Sequence, residues 1–136
     1  MADNWNEAII EEFRANNGRV GGRFEGHSLV LLHHRGAKTG NERVNPLACQ
    51  VLDDSAWAVF ASKGGAPTNP DWFHNLIANP DATIETGAAT VPVRARVAEG
   101  EERESIWARQ VKVMPGFAGY ESTTTRKIPV VILERS

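Results

Sequence analysis

Apolar positions along the chain follow two periods. In "DNWNEAIIEEFRANNG", residues 3–18, Trp5, Ile9 and Phe13 recur every four residues with Ile10 beside them. That spacing lines one face of an α-helix. It predicts a helix over about 3–17, with Asp3 as N-cap and Gly18 as the C-terminal stop. The same period returns in "EGEERESIWARQVKVM", where Trp107, Val111 and Met114 share a face. Acids crowd its first turns and bases its last, as the helix dipole favours, and Pro115-Gly116 ends it.

Elsewhere the pattern is that of strands. "HSLVLLHH" carries the unbroken run Leu29 to Leu32, expected of a strand buried on both faces. In "RVNPLACQVL" alternation puts Leu47, Cys49 and Val51 on one side. Pro46 lacks an N–H, which predicts a bulge or a sheet edge there. Asp53-Asp54 turns the chain and "AWAVFAS" runs back. "KGGAPTNPDWFHNLIANP" is a glycine-rich loop entering a short helix, with Asn69 as N-cap, Pro70 as first helical residue and Asn79-Pro80 as terminator. "ATIET" and "ATVPVRARVA" make a hairpin around Gly87, with Val91, Val93, Ala95 and Val97 on one face and Arg94 and Arg96 on the other. "IPVVILER" closes the chain as a central, buried strand.

The order is helix, three strands, short helix, two strands, helix, strand. Short connections make the pairing mainly antiparallel. About six strands is near the number at which a twisted sheet curls or closes. The expectation is an α+β fold with a small barrel or half-barrel. Residues 1–136 read as one domain, without repeat, low-complexity segment or linker.

Composition narrows the function classes. At 136 residues the chain can bury a core unaided. Fifteen basic and 17 acidic residues give a formal charge of -2, which argues against generic nucleic-acid binding. The single cysteine, Cys49, excludes an internal disulfide framework and makes a reducing, cytoplasmic setting the simplest reading. No signal peptide is visible, and no apolar run reaches the ~20 residues of a membrane span. On a nearly neutral chain, a local basic cluster points to a small anionic ligand.

That cluster is "HHRGAKTGNERVNP", residues 33–46. Arg35, Lys38 and Arg43 supply cations, Gly36 and Gly40 let the backbone approach a ligand, and Thr39 adds a hydroxyl. Phosphate or carboxylate oxygens are natural partners. The spacing fits neither a Walker A loop nor a dinucleotide fingerprint. A plain solvated turn is the bland alternative. A second loop, "ASKGGAPTNPDW", sets Ser62, Lys63, Gly64 and Gly65 just past a strand end, before a helix whose free N–H groups lie near Trp72. Two such loops in one small domain weaken the bland reading of each.

Other candidates carry less. His27, His33, His34 and His74 show no metal-ligand spacing. His33 and His34 point to opposite faces of a strand, so only one of them serves a site. Cys49 sits on a core face and reads as packing. Tyr120, the lone tyrosine, lies in "GFAGYESTTTRKIP", where its phenol can donate to a substrate oxygen or simply stay wet. Arg126 shares that loop.

Together "RGAKTGNERVNPL", "FASKGGAPTNPDWFHNLIANP" and "YESTTTRKIPVVIL" resemble the deazaflavin-dependent nitroreductase family, split β-barrel oxidoreductases of actinobacteria that use coenzyme F420. The likeness covers roughly residues 18 to 134. It implies an FMN-binding split-barrel-like fold with the deazaflavin in a groove. Carried over residue by residue, it implies Arg35, Lys38, Thr39, Gly40 and Arg43 on the cofactor's phosphate and acidic tail, with Asn45 and Pro46 lining the groove. Ala61, Ser62, Lys63 and Gly64 would lie near the ring, with Asn69 and Trp72 close by. Tyr120 would face the substrate pocket. The family usually ends the strand before the first loop in threonines and glycine; here it ends in His33, His34 and Arg35.

The expected reaction is hydride transfer from the reduced deazaflavin to a quinone or nitro-aromatic acceptor. Tyr120 would orient or protonate the acceptor oxygen, and Ser62 with nearby N–H groups would polarise the ring. An FMN enzyme of the same fold needs fewer cations than these loops supply. A non-catalytic cofactor carrier, or a domain with no ligand, would bind or fold without turnover. The partners expected are the deazaflavin, a small apolar acceptor and a second copy paired through sheet edges. The N-terminal helix has three placements open: packed on the barrel, over the acceptor pocket, or in peripheral contact with a membrane. Glu7, Glu11 and Glu12 on its polar face disfavour anionic lipid.

Overall fold

The computed structural model describes residues 2–21, 28–37, 40–61, 70–87, 89–115, 117, 119 and 128–136, with side chains from Glu7 onward. The elements in chain order are α1 (Ala2–Ala15), β1 (Leu29–Arg35), β2 (Glu42–Asp53), β3 (Ala56–Phe60), α2 (Asp71–Ala78), β4 (Asp81–Glu85), β5 (Thr90–Val97), α3 (Gly100–Val113) and β6 (Val130–Arg135). The order is the one predicted.

The strands close into a barrel in the order β1-β2-β3-β6-β5-β4, and every pairing is antiparallel. The final seam is short: β1 meets β4 only at Leu31↔Glu85, Leu32↔Ile84 and His33↔Thr83. Beyond it, β1 runs on to Arg35 paired with β2 alone among the described residues. On its other side β2 meets β3 only from Cys49 onward. The β1–β2 hairpin therefore projects past the closed part of the barrel.

Alternation explains the three apolar clusters. Val30 and Leu32 turn inward with Trp57, Val59, Ile84, Val93, Val131 and Leu133, and α2 stops the barrel with Trp72 and Leu76. Leu29 and Leu31 turn outward under Ile9 and Phe13 of α1. The outer face of β3 and β6 carries Ala58, Phe60, Val130 and Ile132 beneath Ile106 and Trp107 of α3. The run Leu29 to Leu32 is buried on both faces, as expected. Arg103 fastens α3 by donating to the Ile128 carbonyl at 2.7 Å while lying 4.9 Å over the Trp107 ring.

Five local expectations need correction or refinement. The first helix begins at Ala2, so Asp3 lies inside the first turn, where its charge still suits the dipole. At the other end the Gly18 N–H returns to the Phe13 carbonyl at 2.8 Å, with Asn17 at φ 55 and Gly18 at φ 95, a Schellman closure. Pro70 is the N-cap of α2 rather than its first residue, because its ψ of 157° is still extended; Asn69 lies outside the described residues. Val51 shares the parity of Leu47 and Cys49 but is 48 % exposed, since the register breaks between Val51 and Asp53. At Pro46 the edge, not a bulge, is found. Cys49 N–H donates to Ser28 O, so alternation turns the Pro46 nitrogen away from β1, toward the side where β2 has no described partner.

The β4–β5 turn is built against α1. Gly87 has φ 92, and a Cβ there would collide with Asn17 O and come within 2.7 Å of Gly18 Cα. Gly87→Ala should lower unfolding stability by about 1–3 kcal/mol, measured by urea denaturation. A change of under half a kcal/mol would show that the helix end and hairpin separate freely.

Candidate functional site

The projecting hairpin carries the polar chemistry. Its turn is narrow: Gly36 N–H donates to Asn41 O and Gly40 N–H to Gly36 O, both at 2.9 Å. Gly40 adopts φ 72, which explains a glycine there although the space around it is open.

Register divides the expected residues between two faces. Arg43 stands opposite His34 and Asn45 opposite Leu32, on the inner face. Arg35 stands opposite Glu42 and Pro46 opposite Leu31, on the outer face. Arg35 and Arg43 are exposed, and among the described residues neither forms an ion pair. Ala61 is fully buried, and its N–H donates to Pro129 O. Trp72 is a core residue of the barrel interior. Lys38, Thr39, Ser62, Lys63, Gly64, Asn69 and Tyr120 lie outside the described residues, as do His27, Gly65 and Arg126 and the side chain of Trp5.

On the inner face a chain of hydrogen bonds crosses the barrel mouth. His34, 3 % exposed, reaches Asn45 Oδ1 with Nε2 at 2.6 Å. Asn75 Nδ2 lies 3.0 Å from His34 Nδ1, and Asn75 Oδ1 accepts the Ala37 N–H at 2.9 Å. An amide oxygen only accepts, so Nε2 carries the proton and Nδ1 receives one from Asn75. The ring is neutral. Burial, with a smaller push from the Arg43 charge, holds its pKa below the ordinary histidine value.

On the outer face the partners are charged. His33 Nδ1 lies 2.9 Å from Glu42 Oε1 and Nε2 lies 2.6 Å from Glu85 Oε2. Glu85 also takes two hydrogen bonds from Arg14 of α1, at 3.1 and 2.7 Å. The Arg14 bond is the chief reason the Glu85 carboxyl is held below its usual range. Stability from this group is present above the ordinary glutamate pKa and is lost as pH falls through the lowered value.

Where β1 and β4 part, a cleft of about 330 Å³ opens beside His34, Arg35, Ala82, Thr83, Val93 and the C-terminal Ser136. Among the described residues no group of histidine, cysteine and carboxylate side chains is placed to hold a metal, and no helix is long and apolar enough to cross a membrane. Asn75, Glu85 and Arg14 escaped the sequence reading. Asn75 had a signal: it lies three residues after Trp72 and one before Leu76, a polar side chain on the buried face of a helix.

The chain is similar to known proteins over most of its length. The family described as F420H(2)-dependent quinone reductase matches residues 5–135. An F420H(2)-dependent quinone reductase of Mycobacterium tuberculosis is 38% identical over 129 residues, which is 90% of this chain and 85% of that protein. The solved structure of an F420-H2 dependent reductase is 42% identical with a TM-score of 0.71, covering 79% of this chain and 94% of the other. A structure described as a domain-swapped dimer is 36% identical with a TM-score of 0.73, covering 98% of this chain and 100% of the other.

The lone thiol takes no part in this site. Burial pushes Cys49 up to about 12, so at pH 8 on the order of one thiol in ten thousand is ionised. Iodoacetamide should leave folded protein unlabelled at that pH and label it fully in denaturant. Rapid labelling of the folded state would place Cys49 at a reactive surface.

Proposed function

The chain belongs to the F420H(2)-dependent quinone reductase family, and from that premise we propose which of its residues hold the deazaflavin and meet the acceptor. It is an F420-dependent oxidoreductase that reduces quinones. When bound, reduced F420 supplies the hydride. The chain's own residues bind, orient and exclude water.

The observation that supports the assignment is the projecting hairpin, with two exposed guanidinium groups and a glycine turn at its tip. This donor set fits a cofactor that carries a phosphodiester and a polyglutamyl tail. Arg35, Lys38, Thr39, Gly40 and Arg43 hold those anions. Asn45 lines the groove behind Arg43 on the inner face, and Pro46 lies behind Arg35 on the outer face. Ser62, Lys63 and Gly64 bind at the ring with Asn69, while Ala61 and Trp72, being buried, back that region from the core. Tyr120 donates its phenol proton toward the acceptor oxygen, and Ser62 polarises the ring. No side chain is required as a nucleophile. Nitro-aromatic compounds are a second acceptor class, and a homodimer fits the swapped relative.

Titration of the purified protein with F420 and with FMN, followed by turnover with menadione, tests the reading. F420 should bind and be reoxidised by menadione, and FMN should not compete. Equal FMN binding, or F420 binding without menadione reduction, would overturn it.

Lys38→Ala and Arg43→Ala should each raise the Kd for F420 about ten- to hundredfold, the worth of a charged hydrogen bond, with the loss growing smaller in high salt. Tyr120→Phe should cut kcat at least about tenfold while changing the F420 Kd less than about twofold. A Tyr120→Phe enzyme with full turnover would remove that residue from the reaction.

A further inference from the structure

Val30 and Leu32 set an inward apolar row along β1, and alternation makes His34 its next member. Another aliphatic residue would fill that place with no polar group to satisfy. The chain instead puts an imidazole there, 3 % exposed, where burial without partners is costly. Both ring nitrogens are spoken for, and each bond fixes the sense of the next. The Ala37 N–H can only donate, so Asn75 gives it Oδ1 and turns Nδ2 to His34 Nδ1, which must accept, and Nε2 is left with the proton for Asn45 Oδ1. Ala37 immediately precedes Lys38 and Thr39 in the chain.

We propose that His34 is a positioning residue for cofactor binding, acting through Asn75 to fix the backbone at Ala37 and hence the turn from Arg35 to Gly40. The inference rests on the reading that this turn grips the anions of F420. His34 is buried and both its ring nitrogens are bonded to protein groups, so it acts through its partners. Its work is to tie β1, β2 and α2 together at the tip of an otherwise projecting hairpin, so that less ordering remains to be done when the ligand arrives.

The relay has a direction that acid reverses. A protonated ring would present N–H to the Asn75 amide nitrogen, itself a donor. Turning the amide to offer its oxygen would withdraw that oxygen from Ala37. The charged or titratable groups acting on the ring are Arg43 of β2 and His33 of β1, which oppose its charging, and Asp71 of α2, which favours it. With the folded pKa below the unperturbed value, the relay is intact at neutral pH and is lost only as pH falls through the lowered value.

The test compares His34→Leu, Asn75→Leu, the double variant and His34→Gln. Gln keeps one donor and one acceptor; Leu keeps neither. Binding of F420 is read by fluorescence titration, turnover with menadione at varied F420, and cofactor-free stability by thermal melting. Each Leu variant should raise the F420 Kd and KM about tenfold while kcat at saturating F420 and the menadione KM stay within twofold. The double variant should be no worse than either single one, since both cut the same relay. His34→Gln should recover most of the affinity, and its Kd should lack the acid-side rise of the wild type.

Leu variants that melt earlier yet bind F420 as the wild type does would overturn the inference, leaving His34 as a core residue only. Additive losses in the double variant would overturn it too. Should His34→Leu fail to fold, His34→Gln with Asn75→Ala decides on the same readings. Failure of the wild type itself to bind F420 would sink the functional reading, a result separate from normal binding by the variants.

Discussion

Closure of the sheet on β1 is the constraint on which the rest of the structure depends. This strand is covered on both faces, with Leu31 and Leu32 fully buried, and it seals the barrel against β4 through only three residue pairs. A strand in that position must be apolar in both directions while it lies inside the closed wall. Past His33 it leaves the wall. From His33 on its side chains are polar instead of aliphatic: His34 is buried at the mouth among neutral partners, and Arg35 faces solvent. The barrel wall and the basic hairpin are thus consecutive stretches of one strand.

The two faces of that strand solve the transition differently. Outside, His33 sits between Glu42 and Glu85, and Arg14 brings α1 into the same charged chain. These groups are partly solvated, so they fix geometry more than they stabilise. Inside, where water is excluded, only neutral partners serve, and His34, Asn45 and Asn75 are used. The outer chain also bears on where α1 belongs. Ile9 and Phe13 are spent on Leu29 and Leu31, and Glu7, Glu11 and Glu12 face out. Of the three placements left open by periodicity, the helix takes the one on the barrel.

Much of this was legible in the sequence because it is local. The run Leu29 to Leu32, the helical spacing of Trp107 and Val111, and Gly87 in its hairpin each report an environment through a few neighbouring residues. The basic cluster was legible as chemistry. Its division was not drawn, because Arg35 and Arg43 lie on different strands and only the β1–β2 register sets them on opposite faces. The relay was out of reach for a different reason. His34 and Asn75 are 41 positions apart and meet only because Trp72 and Leu76 dock α2 into the barrel end. No spacing rule encodes a contact made by the docking of a third element. Asp3 and Pro70 were displaced by a residue or so because a cap depends on backbone angles that neighbouring residues can equally adopt.

The division of cations bears on the kind of ligand the hairpin suits. Arg35 and Arg43 emerge on opposite faces, so one compact phosphate resting on either face would meet one of them. A ligand held by both must pass over the tip, along the turn from Gly36 to Gly40, with negative charge on each side of it. A cofactor with a phosphodiester and then a string of carboxylates has its charge distributed in that way; a flavin mononucleotide carries its charge at one end. The same geometry gives the inner relay its importance. If the tip were free to twist, the two guanidinium groups would not hold a fixed separation, and a long anion would have to order the hairpin as it bound. Anchoring Ala37 to α2 moves that ordering into folding, where the packing of Trp72 and Leu76 sustains it.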